Sequence, residues 1–134
     1  MTAFALVVQQ AIYDKLTADL STPVYDDVLQ PSGSGNSSDF PYITIGEDSF
    51  TYADTDDSNR MDVSIVIHTW SRKQGRLEVK TMQSEVYSSL HRATLVQAGY
   101  NFVTITQQNS TSFLDADGVT RHGVQTFNLI IEED

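Results

Sequence analysis

The stretch Met61-Asp62-Val63-Ser64-Ile65-Val66-Ile67-His68-Thr69-Trp70 decides the fold class. In an extended chain Met61, Val63, Ile65 and Ile67 project to one side. Asp62, Ser64 and His68 project to the other, together with Val66 and Trp70. A period of two held this long marks a strand with one covered face. Just upstream, Pro41 leads into Tyr42-Ile43-Thr44-Ile45-Gly46, with Ile43 and Ile45 on one face. The polar stretch Glu47 to Asn59 joins the two runs, which read as an antiparallel hairpin with a long acidic tip. Downstream, Phe102–Thr106 and Val124–Ile131 alternate again. Asp115-Ala116-Asp117-Gly118 between them has strong turn chemistry.

Two segments carry a helical period instead. Phe4, Val7, Val8, Ala11, Ile12 and Leu16 form one stripe, with Gln9, Gln10, Asp14 and Lys15 opposite. Thr2 suits an N-cap, and Pro23 closes the segment. Val79, Met82, Val86, Leu90 and Ala93 form the second stripe, ending in His91 and Arg92, which suit a helix C-terminus. Gly99 breaks that pattern, and Val24–Val28 reads as a short strand. The expected fold is α+β: an antiparallel sheet of about four strands with two helices packed on one face. The chain of 134 residues forms one domain, 1–134. Its loops at about 30–39 and 47–59 lack apolar anchors and are expected to be mobile.

Composition narrows the function classes. At 40 % apolar and 19 % charged the chain is an ordinary globular one, so wholesale disorder is not expected. There is no cysteine, which removes disulfides, thiolate metal sites and cysteine nucleophiles. No apolar run approaches a membrane span. The first residues lack a basic flank and a small-residue cleavage site, so synthesis and use in a cytoplasm are expected.

The net charge is −10, whereas proteins that grip nucleic acid place Lys and Arg against phosphate. Yet Ser71 to Ala93 holds Arg72, Lys73, Arg76, Lys80 and Arg92 against only Glu78 and Glu85, giving +3 and leaving −13 elsewhere. A basic face and an acidic remainder are complementary between copies of one chain. The other reading is a solvated helix face. The candidate contacts are Arg72, Lys73, Arg76 and Lys80 with Asp54, Asp56 and Asp57, or with Glu132, Glu133 and Asp134. Trp70, the single tryptophan, either joins a small second cluster under the first helix or a loop, or anchors a subunit interface.

Motifs for chemistry fail on spacing. Counting from Asp54 as the first ligand of a calcium loop, Asn59 and Ile65 stand where glycine and glutamate are needed; counting from Asp115, Thr120 and Thr126 do. The Ser/Gly-rich stretch Ser32–Ser38 has neither a third glycine nor a Gly-Lys-Ser/Thr. His68, His91 and His122 show no i, i+4 pair, and no Gly-x-Ser-x-Gly elbow is present. Neither a metal nor a cofactor nor an enzymatic activity is expected.

Four segments in order carry a resemblance. They are Val24-Tyr25-Asp26-Asp27-Val28; Phe40-Pro41-Tyr42-Ile43-Thr44-Ile45-Gly46-Glu47-Asp48; His68-Thr69-Trp70-Ser71-Arg72 running through Gly75, Glu78 and Lys80 into Leu90-His91; and Asp115-Ala116-Asp117-Gly118-Val119-Thr120-Arg121-His122-Gly123-Val124. Together, over about residues 24–131, they resemble the small tail-completion (tail terminator) proteins of long-tailed bacteriophages and gene transfer agents. The resemblance implies an α+β subunit assembling as a hexameric ring, assembled in the host bacterial cytoplasm and placed at the head-proximal end of the virion tail. The implied partners are further copies of itself, the tail tube protein and the head–tail connector protein, with DNA passing through the lumen without specific binding. It also implies no catalytic residues. A head–tail adaptor, a baseplate component or a small cytoplasmic binding module are the alternatives. Size is compatible with a ring: spheres of roughly 18 Å radius leave a hole of about 15 Å for four copies and about 36 Å for six.

Overall fold

The computed structural model describes residues 4–26, 40–54, 56 and 59–134. Its elements are α1 (Phe4–Asp19), β1 (Val24–Tyr25), β2 (Tyr42–Tyr52), β3 (Arg60–Ser71), α2 (Leu77–Leu90), β4 (Val96–Gln97), β5 (Tyr100–Leu114) and β6 (Arg121–Glu133). The strands form one curled sheet in the order β1-β2-β3-β6-β5-β4.

The α+β class holds, but the sheet has six strands and is mixed. The four long strands are those with a period of two. The additions are the two-residue strands β1 and β4 at the edges, and β1 pairs in parallel with Ile43 and Thr44 of β2. Of the expected short strand Val24–Val28, Val24–Tyr25 forms β1, while Asp27 and Val28 lie outside the described residues.

Strands β3 and β6 bury the face their pattern marks. Met61, Val63, Ile65 and Ile67 of β3 and Phe127, Leu129 and Ile131 of β6 are all buried in one core cluster. Val8, Ala11, Ile12 and Leu16 of α1 and Met82, Val86 and Leu90 of α2 pack into the same cluster, so both helices cover one face. Among the described residues the opposite face carries no helix. Helix α2 stops at Leu90, where His91 turns extended and Arg92 takes a left-handed conformation (φ 59°).

The hairpin tip is shorter than the sequence suggests. Strand β2 continues through Glu47 and Asp48 to Tyr52, because a bulge between Ile45 and Asp48 shifts its phase and brings Phe50 back over the core opposite Val63. The expected loop 30–39 and the expected cap Thr2 lie outside the described residues, as do 55, 57 and 58 of the tip.

Gln125 occupies a core-facing position on β6 and is fully buried. Its Nε2 donates to the Gln83 carbonyl (2.9 Å) and to Gln107 Oε1 (2.7 Å), while Gln83 Nε2 donates to the Thr111 carbonyl (2.8 Å). These bonds dock α2 on β5 and β6. Gly123 sits against Thr69 and Gln83 with no room for a Cβ.

Candidate assembly surface

The helix-free face carries two kinds of surface. Toward the Arg60 end of β3 it is lined by Ser49, Thr51, Ser64, Thr104, Thr106 and Asn128 around Asp62. Toward the Ser71 end the outward phases of β2, β3, β5 and β6 meet in an aromatic cluster. Trp70 and His122 are register partners, and their rings stack at 3.8 Å between centroids. Tyr42 stacks on Trp70 at 6.1 Å, and Phe113 tilts against His122 at 4.9 Å. The indole Nε1–H of Trp70 donates to Thr44 Oγ1 (3.1 Å). Trp70 therefore joins a second small cluster on the face opposite the core, half-buried among strand residues rather than under a helix.

The same register joins two histidines that lie 54 positions apart. His68 Nδ1 and His122 Nε2 are 2.7 Å apart, and His68 Nε2 lies 2.9 Å from Glu47 Oε1. One imidazole N–H must donate across the pair while the other nitrogen accepts. The hydrogen bond from His68 holds the Glu47 carboxyl below its ordinary range. Burial, and then the neighbouring His68, push the His122 pKa below that of a free imidazole. Both His68 nitrogens are thus engaged, and His91 Nδ1 accepts the Gln107 N–H (3.0 Å). Among the described residues no histidine hydrogen-bonds a serine hydroxyl, and no group of three His, Asp or Glu side chains is arranged to hold a metal ion.

The charged candidates fall at opposite ends of the sheet. Arg60 of β3 pairs with Glu132 of β6, and Ser71 with Arg121. The eleven steps between them separate the two ends by roughly 36 Å. Asp54, Asp56, Glu132, Glu133 and Asp134 gather at the first end; Arg72, Lys73 and Arg76 lie at or just past the second, and Lys80 lies one turn into α2, beside Ser110–Ser112 of β5. Asp57 lies outside the described residues. No ion pair among the described residues connects the two groups.

Not all these residues are equally available. Arg72 braces its own subunit: its Nε donates to Thr120 Oγ1 (3.2 Å), a terminal nitrogen lies 3.8 Å from Asp117, and its guanidinium covers the Phe40 ring at 4.4 Å. Bonds from the Thr120 hydroxyl and the Thr120 and Val119 amides hold the Asp117 pKa at about 2. Asp54 accepts the Arg60 N–H (3.0 Å), Glu132 the Asn101 amide (3.0 Å) and Glu133 the Asn59 amide (3.0 Å). Lys73, Arg76, Lys80 and Asp56 are exposed. The basic end also exposes Leu77, Phe113, Leu114 and Val119, and the acidic end exposes Tyr52. Sequence reasoning did not join Glu47, His68 and His122. The only trace was that His68 occupies an outward phase of one alternating strand and His122 stands two positions before another.

Comparison with known proteins agrees with this architecture. A family model described as tail completion protein gp17 matches residues 8–132. The tail completion protein gp17 of Bacillus phage SPP1 is 30 % identical over 103 residues, 76 % of this chain and 76 % of the phage protein. A chain from the virion of a native gene transfer agent particle shares the fold, with a TM-score of 0.81 at 20 % identity, covering 97 % of this chain and 99 % of that one.

Proposed function

Since the chain belongs to the tail completion protein gp17 family, we propose that it closes a ring on the end of a phage-type tail tube and joins the tube to the head connector. The observation that carries the ring is the segregation of charge: one sheet ends in acidic groups and begins its helical crossover in basic ones. A ring needs a heterologous contact, in which a patch meets a different patch on the next copy. Two oppositely charged patches on one subunit supply such a contact. Lys73, Arg76 and Lys80 face the acidic tip around Asp54 and Asp56, or the Glu132–Asp134 end, of the neighbour. Arg72 positions the loop that presents them, and the aromatic cluster around Trp70 adds apolar area nearby.

Six copies of this domain leave a lumen wide enough for a duplex about 20 Å across. A net charge of −10 lets DNA pass without being gripped. The role is structural rather than catalytic, and the place is the head-proximal end of the tail. The phage origin of the SPP1 relative and the virion origin of the matching fold support a virion component.

Negative-stain microscopy of the purified protein, alone and mixed with polymerising tail tubes, tests this. Rings at one end of tubes that have stopped growing are expected. Attachment to a connector without any effect on tubes would make it a head–tail adaptor, and attachment to a baseplate a component of that end.

A further inference from the structure

Strand β5 is the outer edge of the sheet over most of its length, since β4 covers only Tyr100 and Asn101. From Tyr100 to Leu114 it contains no charged residue and no proline. Exposed edges in soluble proteins are ordinarily guarded by lysine, proline or shortness, because their free N–H and C=O groups template pairing with another chain. Part of this edge is satisfied within the subunit. The Ile105 carbonyl accepts the Arg92 N–H (2.7 Å), and the Gln107 N–H reaches His91.

Beyond the bulge at Gln107 the edge borders a groove of about 410 Å³ lined by Lys80, Gln83, Tyr87 and Thr111. The Thr111 carbonyl points into it toward Gln83, and in an extended strand the N–H of that residue points the same way. Residues 108–114 therefore present a seven-residue edge without lysine or proline, on which the Thr111 carbonyl is already engaged by Gln83 Nε2 (2.8 Å).

The opposite edge has a matching span. Strand β1 pairs only with Ile43 and Thr44, and among the described residues no strand pairs with the outer side of β2 from 46 to 52. The two spans are equally long, roughly 20–24 Å. Each pairing from β2 through β3 and β6 to β5 is antiparallel, so β2 and β5 run in opposite directions. A second copy continuing the same sheet thus offers its β2 antiparallel to β5, the more stable pairing. The β2 span carries Glu47 and Asp48, and the β5 groove is flanked by Lys80. Matching the spans also shifts the neighbour along the strands, bringing its acidic hairpin tip toward α2.

We infer that adjacent copies join by strand addition, β5 of one to β2 of the next, so that the sheet continues around the assembly. This rests on the ring reading and specifies the contact within it.

The chain has no cysteine, so engineered pairs give a clean readout. Thr111→Cys combined with Ser49→Cys or Thr51→Cys places both sulfurs on the helix-free face, at cross-strand spacing if the edges pair. Oxidation is expected to yield a covalent ladder on denaturing gels from one of these double variants, and from none of the three single variants anything beyond a dimer. Thr111→Pro removes only an outward N–H and is expected to keep the wild-type melting temperature. In native mass spectrometry it should lose the oligomer, while Thr111→Val keeps it. An oligomer that survives Thr111→Pro, with no ladder from either pair, overturns strand addition and leaves the ring. A wild-type chain that stays monomeric both free and with tail tubes overturns the ring and this contact together.

Discussion

His122 lies flat against Trp70, with ring centroids 3.8 Å apart and planes 15° from parallel, and its Nε2 meets His68 Nδ1 at 2.7 Å. The hydrogen bond requires that the two imidazoles not be charged together, since one of the two nitrogens must accept. His122 is the partner disfavoured as a cation, first by burial and then by His68. Its folded pKa is depressed, so the stability it contributes is present above the unfolded value near 6.5 and is lost as pH falls through the folded value. Thermal melts from pH 7.5 down to 5 should show a decline that is absent in His122→Phe. The Glu47 and Asp117 carboxyls, also depressed, act in the same direction but only below about pH 4.5. A flat wild-type profile above pH 5 contradicts this account.

Gly46 explains how the pair is seated. A Cβ there would collide with the His68 ring, because that ring lies directly over the glycine. Gly46→Ala is expected to push His68 from both Glu47 and His122 and to cost about 1–3 kcal/mol, the usual scale of overpacking. Chemical denaturation measures the loss, and NMR titration of the histidine resonances shows whether the His122 pKa moves back toward the free value. An alanine variant with unchanged stability and titration would show that the ring is not held there.

Ile65 is buried at the centre of the sheet face under the helices. Ile65→Ala should destabilise by about 2–5 kcal/mol, through lost transfer energy plus the cavity left behind. Urea unfolding measures it. A change below about 0.5 kcal/mol would put Ile65 on an exposed face, a one-residue slip of register.

Hydrogen exchange separates strand from tip in the β2–β3 hairpin. Amides from Tyr42 to Ala53 that face β3 are expected to be protected in the free subunit, Ala53 because it donates to the Arg60 carbonyl (2.9 Å), and those of Asp54 and Asp56 to exchange fast until the subunit assembles. Equal protection of Asp54 and Asp56 in free and assembled protein would remove the tip from the contact.

The long strands were legible because one face of each is apolar at strict period two, as in Met61–Ile67 and Phe127–Ile131. What the pattern missed has identifiable causes. The bulge between Ile45 and Asp48 puts Ile43 and Ile45 in one phase and Phe50 in the other, so a fixed period ends the strand too early. Bulges after Phe102 and Gln107 do the same to β5, whose second half is also too polar to show a buried face. Val24–Tyr25 and Val96–Gln97 are too short to carry a period. The histidine pair depends on how β3 lies against β6, strands separated by a helix and two other strands. Local pattern fixes which face each residue takes but not which residue of a distant strand stands opposite. The charge segregation was visible as a basic segment in an acidic chain, but its placement at two ends of one sheet was not.

The most direct measurement of the central claim, a head-to-tail ring held in register by charge, is a mixing experiment with two reversed subunits. One carries Arg76→Glu and Lys80→Glu; the other carries Asp54→Lys and Asp56→Lys. In a heterologous ring each alone sets like charges against each other at every contact, while alternating copies restore opposite charges at all of them. Native mass spectrometry at low salt, where surface charges are least screened, should find neither variant closing a ring alone. It should find the equimolar mixture forming closed rings with equal numbers of the two. Rings from each variant alone, with the same mass as wild type, would contradict the account.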